Sequence, residues 1–141
     1  VSTHPRTRLE IDKSGKEFNS KVKFLKPLGF VDYNKLQISA CAVLSDSGTI
    51  SEESSIQNFR ALNIRETHER QEAMEEGAVM LTGLDVENVL RCLAIISSQP
   101  DGAERKLKLP RDYNVPNVSD KIIRVVHSYR DYVMRTIWKK Y

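Results

Sequence analysis

An α/β domain, a parallel sheet with helices on both faces, is predicted by two features of this 141-residue sequence. Short apolar runs alternate without interruption with segments of helical spacing from Cys41 to Ser98, and each run ends abruptly in small or charged residues. One domain of this length buries a real core. Twenty-two basic against nineteen acidic residues leave a net charge of +3, too small and too scattered to indicate nucleic acid. No run approaches the length of a membrane span and no secretory leader is seen, so a cytoplasmic protein with no membrane partner is expected. Cys41 and Cys92 lie in apolar surroundings and read as reduced core residues, without metal-ligand spacing.

Taken in order, Val1–Pro5 reads as the end of a strand running into a loop. With no initiator Met, a fragment of a longer chain is expected. Arg8–Lys13 suggests a short helix closed by Ser14 and Gly15. Val22–Leu25 is a brief strand ended by Pro27 and Gly29. Phe30–Ile38 has helical spacing with Asp32 as its N-cap. Cys41–Leu44 is a strand, followed by a helix over about Thr49–Asn58 that buries Ile50 and Ile56. Ala61–Ile64 and Ala78–Leu81 are further strands, separated by a polar loop and a helix ending near Gly77. Asp85 caps a helix over Val86–Ser98 with Val89, Leu90, Leu93 and Ile96 facing inward. Pro100, Gly102, Pro110 and Pro116 then break the pattern, and the basic run Arg105–Lys108 reads as solvated. Ser119 or Asp120 caps a long last helix whose broad apolar stripe, including Ile122, Val126, Tyr129, Val133 and Ile137, either packs on the sheet or reaches beyond this chain.

The whole chain is organised around Leu44–Glu53, in which a strand stops at a cluster of hydroxyls around Gly48 and a helix begins at once. Such a turn offers backbone N–H groups and the positive end of a helix, a natural seat for phosphate. Glu52 or Glu53, one turn later, is placed to accept from sugar hydroxyls. The two are adjacent and point in different directions, so they do not form a carboxylate pair. Arg65, Thr67, Glu69 and Arg70 follow the next strand, at the same carboxyl edge of a parallel sheet, where ligands bind. Arginine with hydroxyls and helix N–H groups outlines a pyrophosphate site, and a solvated salt-bridged loop is the other reading of the same residues. His4, His68 and His127 lack the spacing of metal ligands. No catalytic triad and no Walker or dinucleotide glycine loop is present.

Together, Ser45–Glu53, Arg65–Ala73, Glu76–Gly77 and Leu81–Gly83 resemble the motifs of the non-hydrolysing UDP-N-acetylglucosamine 2-epimerases, roughly TDSGGxQEE, RDxTERPE, EAG and LVG. The resemblance runs from His4 to about Ile95. It implies a Rossmann-like half, the partial second domain of a GT-B-like two-domain enzyme. Residues 1–98 would be the UDP-binding half, truncated at its N-terminal side, and residues 99–141 the connecting loop and last helix of the same domain. By matching position, the resemblance implies that Ser47, Gly48 and Thr49 contact the diphosphate, Glu53 the ribose and Phe30 the uracil. Arg70 would approach the phosphates or sugar, and His4 would line the same cleft. No catalytic residue, metal or cofactor is expected here, because the proton-transferring carboxylates of this family come from the first domain. The implied partners are a UDP-sugar, the other domain of the enzyme and a second copy of the chain through the last helix. The implied chemistry is inversion at sugar C2 by elimination and readdition of UDP. Thr49 stands where the pattern has its second Gly, and Gln71 where it has Pro. Tyr113–Lys121 looks more like the branch that acts on 6-deoxy UDP-N-acetyl sugars of the fucosamine pathway, in capsule or O-antigen synthesis. A glycosyltransferase donor domain and a non-catalytic nucleotide-sugar-binding module are the competing readings.

Overall fold

The computed structural model describes residues 1–140. Its elements are helices α1 (Pro5–Ser14) and α2 (Phe30–Ser39), strand β1 (Val43–Ser45), α3 (Ile50–Gln57), β2 (Ala61–Asn63), α4 (Glu72–Glu75), β3 (Val79–Leu81), α5 (Val86–Ser98) and α6 (Val118–Thr136). Two 3-10 turns, Gly102–Glu104 and Arg111–Tyr113, lie between α5 and α6.

The three strands form a parallel sheet in the order β1–β2–β3, with Val43 beside Ala61 and Ala61 beside Val79. Side chains alternate along β2, so neighbouring residues serve opposite faces. Ala61 joins Ile50, Phe59, Val79 and Val43 beneath α3, whereas Leu62 joins Cys92, Ile96, Met80, Val89 and Leu93 beneath α5. The expected fold is therefore present, with a core on each side of β2.

Several local expectations change. Val22–Leu25 is not a full strand. Only Leu25 pairs, in a parallel bridge with Ser2 that stands outside the sheet. Helix α1 starts earlier than the apolar spacing indicates, because Pro5 suits a first helical position and His4 Nδ1 accepts from the Arg6 N–H at 3.3 Å. It ends at Gly15, whose φ of +61° is the left-handed conformation that suits glycine. Gly29, not Asp32, is the N-cap of α2, which puts Asp32 in its first turn. Ile56 and Leu90 are exposed rather than inward, as is Cys41, which lies just outside β1. Asp85 caps α5 as expected, its carboxylate accepting from the Asn88 N–H at 2.8 Å.

The largest correction concerns Arg105. It is half-buried, and its guanidinium closes the C-terminal end of α3 against the entry to β3. It donates to the carbonyls of Ser54 at 3.1 Å, Phe59 at 3.4 Å and Ala78 at 2.8 Å, and to Asn58 Oδ1 at 3.2 Å. Burial lowers its pKa, and the fan of acceptors offsets the cost of removing the charge from water. The same region is tied by Arg60, which pairs with Asp101 at 2.9 Å, and by Asn58 Nδ2, which donates to the Gly102 carbonyl at 2.6 Å.

Asn117, and neither Ser119 nor Asp120, is the N-cap of α6, and none of the helix's residues is buried. Its apolar stripe, from Ile122 through Tyr129 and Tyr132 to Trp138, lies open along its length and does not pack on the sheet. No helix among the described residues is long and apolar enough to cross a membrane.

Arg105→Ala should lower stability by about 1.5–3 kcal/mol, since it removes the charge-assisted bonds from the guanidinium to the Ser54, Phe59 and Ala78 carbonyls. Urea unfolding followed by circular dichroism reads this directly, and an unchanged midpoint would remove Arg105 from its structural role.

Candidate functional site

Parallel pairing brings the carboxyl ends of β1, β2 and β3 to one edge, and with them the turn at residues 46–49, the loop 64–71 and the segment 82–85. The first turn is held by its own side chains. Ser45 Oγ accepts from the Ser47 N–H at 3.1 Å, and Ser47 Oγ accepts from the Thr49 N–H at 3.3 Å. The hydroxyls of Ser47 and Thr49 lie 2.9 Å apart, and Thr49 Oγ1 donates to Glu53 Oε1 at 3.0 Å. Three of the expected site residues thus form one hydrogen-bonded row at the start of α3.

Gly48 sits in the middle of that row. A Cβ there would collide with Glu69 Oε2, so the turn accepts the Glu69 carboxylate only because residue 48 has no side chain. Arg65 pairs with the other oxygen of Glu69 at 2.7 Å. This contact holds the Glu69 pKa down, chiefly through the hydrogen bond from Arg65. Arg70 Nε donates to Glu52 Oε1 at 2.7 Å, a link from loop 64–71 to α3. The loop is salt-bridged, and its arginines stand at the sheet's carboxyl edge. Glu52 and Glu53 do diverge, as their adjacency requires, but neither simply faces solvent. Glu52 holds Arg70 while Glu53 holds Thr49 and Gln37.

His4 and Phe30 stand apart from this row. His4 spends its Nδ1 on the cap of α1, next to the Ser2–Leu25 bridge. Phe30 opens α2 and is 83% exposed. His68 is half-buried in loop 64–71, whereas His127 is exposed on α6. No group of three or more His, Cys, Asp or Glu side chains among the described residues is placed to hold a metal ion.

Two residues that the motifs pass over stand beside Glu53. Tyr33, one turn along α2 from Phe30, is partly buried beside Glu53 and Asp46. Burial and then the charges of these two carboxylates raise its pKa. Gln37, one further turn along, is buried and donates through Nε2 to Glu53 Oε2. The i, i+4 spacing of Tyr33 and Gln37 was legible as one helical face, but nothing in the sequence shows which element that face meets.

The model of a family described as UDP-N-acetylglucosamine 2-epimerase matches residues 1–127. A curated relative of that description from Methanococcus maripaludis is 32% identical over 117 residues, which is 80% of this chain and 29% of the relative. The structure of UDP-N-acetylglucosamine 2-epimerase from Rickettsia bellii is 46% identical, with a TM-score of 0.86, over 99% of this chain and 38% of that one. The Methanocaldococcus jannaschii enzyme, crystallised with UDP-GlcNAc and UDP, is 27% identical with a TM-score of 0.78, over 90% of this chain and 34% of that one. The chain spans roughly a third of the length of these relatives.

Burial lowers the pKa of His68 below its ordinary 6.5, and neither ring nitrogen has a hydrogen-bond partner. The folded state therefore favours the neutral ring. Its contribution is complete above the unfolded value of 6.5 and is lost as pH falls through the lower folded value. His68→Phe should flatten the fall in stability between pH 7.5 and 5.5, measured by urea unfolding at each pH; an unchanged slope would remove His68 as its source.

Proposed function

The chain belongs to the UDP-N-acetylglucosamine 2-epimerase family, and we propose that it supplies the UDP-holding side of such an enzyme's cleft. The observation that carries this reading is the Ser47–Thr49–Glu53 row at the start of α3, with Arg70 tied to the same helix from the neighbouring loop. In this reading the diphosphate lies over Gly48, where backbone N–H groups and the helix N-terminus favour negative charge. Arg70 exchanges its bond with Glu52 for the phosphate oxygens, which a guanidinium fits bidentately. Glu53 accepts from the ribose hydroxyls. The base then lies along the first turns of α2, where the rings of Phe30 and Tyr33 are separated by one turn. His4 lines the far side of the same cleft.

The reaction proposed for the whole enzyme is inversion at sugar C2. A base removes the C2 proton as the bond from C1 to UDP breaks, which leaves a 2-acetamidoglycal and bound UDP. Readdition of UDP to C1 and of a proton to the opposite face of C2 completes the inversion, with no net oxidation. This chain's residues stabilise the departing diphosphate and keep it in place for return. The proton-transferring carboxylates are assigned to the part of the enzyme outside this chain. The open stripe of α6 is assigned to contact with that part, with pairing of two copies as the competing occupant.

UDP-N-acetylglucosamine is the substrate proposed first. A 6-deoxy UDP-N-acetyl sugar of capsule or O-antigen synthesis is the second reading, favoured by the segment Tyr113–Lys121. The compartment proposed is the cytoplasm, in keeping with the free thiols of Cys41 and Cys92. A binding module without catalysis would share the same nucleotide seat and differ only in the partner domain.

Calorimetric titration should show UDP binding to this chain. Arg70→Ala should weaken it by about tenfold to a hundredfold, and Ser47→Ala by about twofold to tenfold. Binding unaffected by both substitutions would place the nucleotide elsewhere. The chain alone should leave the C2 hydrogen of UDP-N-acetylglucosamine unexchanged in deuterium oxide. Deuterium entering C2 would overturn the proposed division of labour.

A further inference from the structure

Glu53 is held in a way that the proposed reading does not by itself require. Each of its two carboxylate oxygens has its own donor: Gln37 Nε2 on Oε2, from α2, and Thr49 Oγ1 on Oε1, from the first turn. A carboxylate only accepts, so the direction of both bonds is fixed. Thr49 must spend its proton on Glu53, and its oxygen therefore accepts from the Ser47 hydroxyl at 2.9 Å. Gln37 is only 3% exposed, and its amide must turn the NH2 group towards Glu53. This leaves Gln37 Oε1 buried with no partner. An orphaned buried acceptor is costly, and the charge-assisted bond to Glu53 is the interaction that offsets it.

We propose that Gln37 and Thr49 are positioning residues that clamp the Glu53 carboxylate, so that its remaining lone pairs stand ready for the two hydroxyls of a vicinal diol. The proposal rests on the reading of Glu53 as the ribose acceptor. A free glutamate has several rotamers, and ordering one on binding weakens a complex. A carboxylate fixed beforehand avoids that loss. The clamp makes Thr49 a determinant of specificity for a ribonucleotide through Glu53, beyond the diphosphate contact that the motif implies.

Thr49 is the residue to test. Its side chain makes no capping bond to α3, and glycine is well tolerated at an N-cap, so Thr49→Gly leaves the helix start intact. UDP and 2′,3′-dideoxy-UDP would be titrated into the full chain and into Thr49→Gly and Thr49→Ser. Thr49→Gly should weaken UDP by about threefold to tenfold more than it weakens the dideoxy nucleotide, and Thr49→Ser should restore the difference. Equal loss for both nucleotides, or no loss for either, would overturn the clamp. Carbon relaxation at Glu53 Cγ in the unliganded protein gives a reading that needs no nucleotide. Order should fall in Thr49→Gly and return in Thr49→Ser, and unchanged order would also overturn the proposal. If the unsubstituted chain binds no UDP, the nucleotide reading fails, while the relaxation measurement still decides whether Glu53 is clamped.

Discussion

Everything at the candidate site depends on the parallel pairing of β1 with β2 and of β2 with β3. Parallel strands all end at the same edge, so three loops far apart in sequence meet there without any of them being long. An antiparallel partner would send one of these loops to the opposite edge. The pairing itself needs cover on both faces, since the strands have no polar side to leave in water. Helices α3 and α5 provide it from opposite sides of β2, which is why Ala61 and Leu62 serve different cores. Helix α3 therefore has two tasks. Its Ile50 is fully buried against the sheet, while its first turn carries Thr49 and Glu53 towards the site. The position of the hydroxyl row is thus set by the same packing that holds the sheet together.

What was legible in the sequence follows the range of the interactions involved. The strand–turn–helix at Leu44–Glu53 is local: an apolar run, small residues and a new helical period lie within ten positions, and the structure places them as expected. Asp85 was legible for the same reason, because a cap acts three residues away. Arg105 was not. As one of several basic residues in a Pro- and Gly-rich stretch it reads as solvated, and its acceptors lie 27 to 51 positions away. Gln37 and Tyr33 were missed on similar grounds, since their part in the site arises from α2 lying beside α3. Phe30, selected by motif, is exposed, whereas the residue one turn later meets Glu53.

Helix α6 departs from the logic of the rest of the chain. Its sequence has the broad apolar stripe of a buried helix, but Ile122, Val126, Tyr129 and Trp138 are each more than half exposed. Such a stripe has a cost in water, of the order of 25 cal/mol for each Å² left uncovered. On α3 and α5, by contrast, Ile50, Cys92 and Ile96 are covered by the sheet. The relatives are about three times longer than this chain, and in the proposed reading that additional length is what covers the stripe.

Two of the site's carboxylates are paired with its arginines before any ligand arrives, Arg65 with Glu69 and Arg70 with Glu52, while Glu53 accepts from the neutral Thr49 and Gln37. The two ion pairs balance two arginines against two carboxylates at one sheet edge. They also set what binding a phosphate involves. In the proposed reading the anion meets no free guanidinium group; it takes Arg70 from Glu52 and displaces the Glu69 carboxylate from beside Gly48. The gain is then a difference between two sets of charge-assisted bonds, one of them already made. Partly exposed pairs of this kind are weak, so the exchange costs little in the free protein. A diphosphate with several oxygens satisfies a guanidinium and the Gly48 turn together, which a single carboxylate cannot do. In that reading the balance favours a ligand with more than one phosphate group over smaller anions that replace only one of the internal partners.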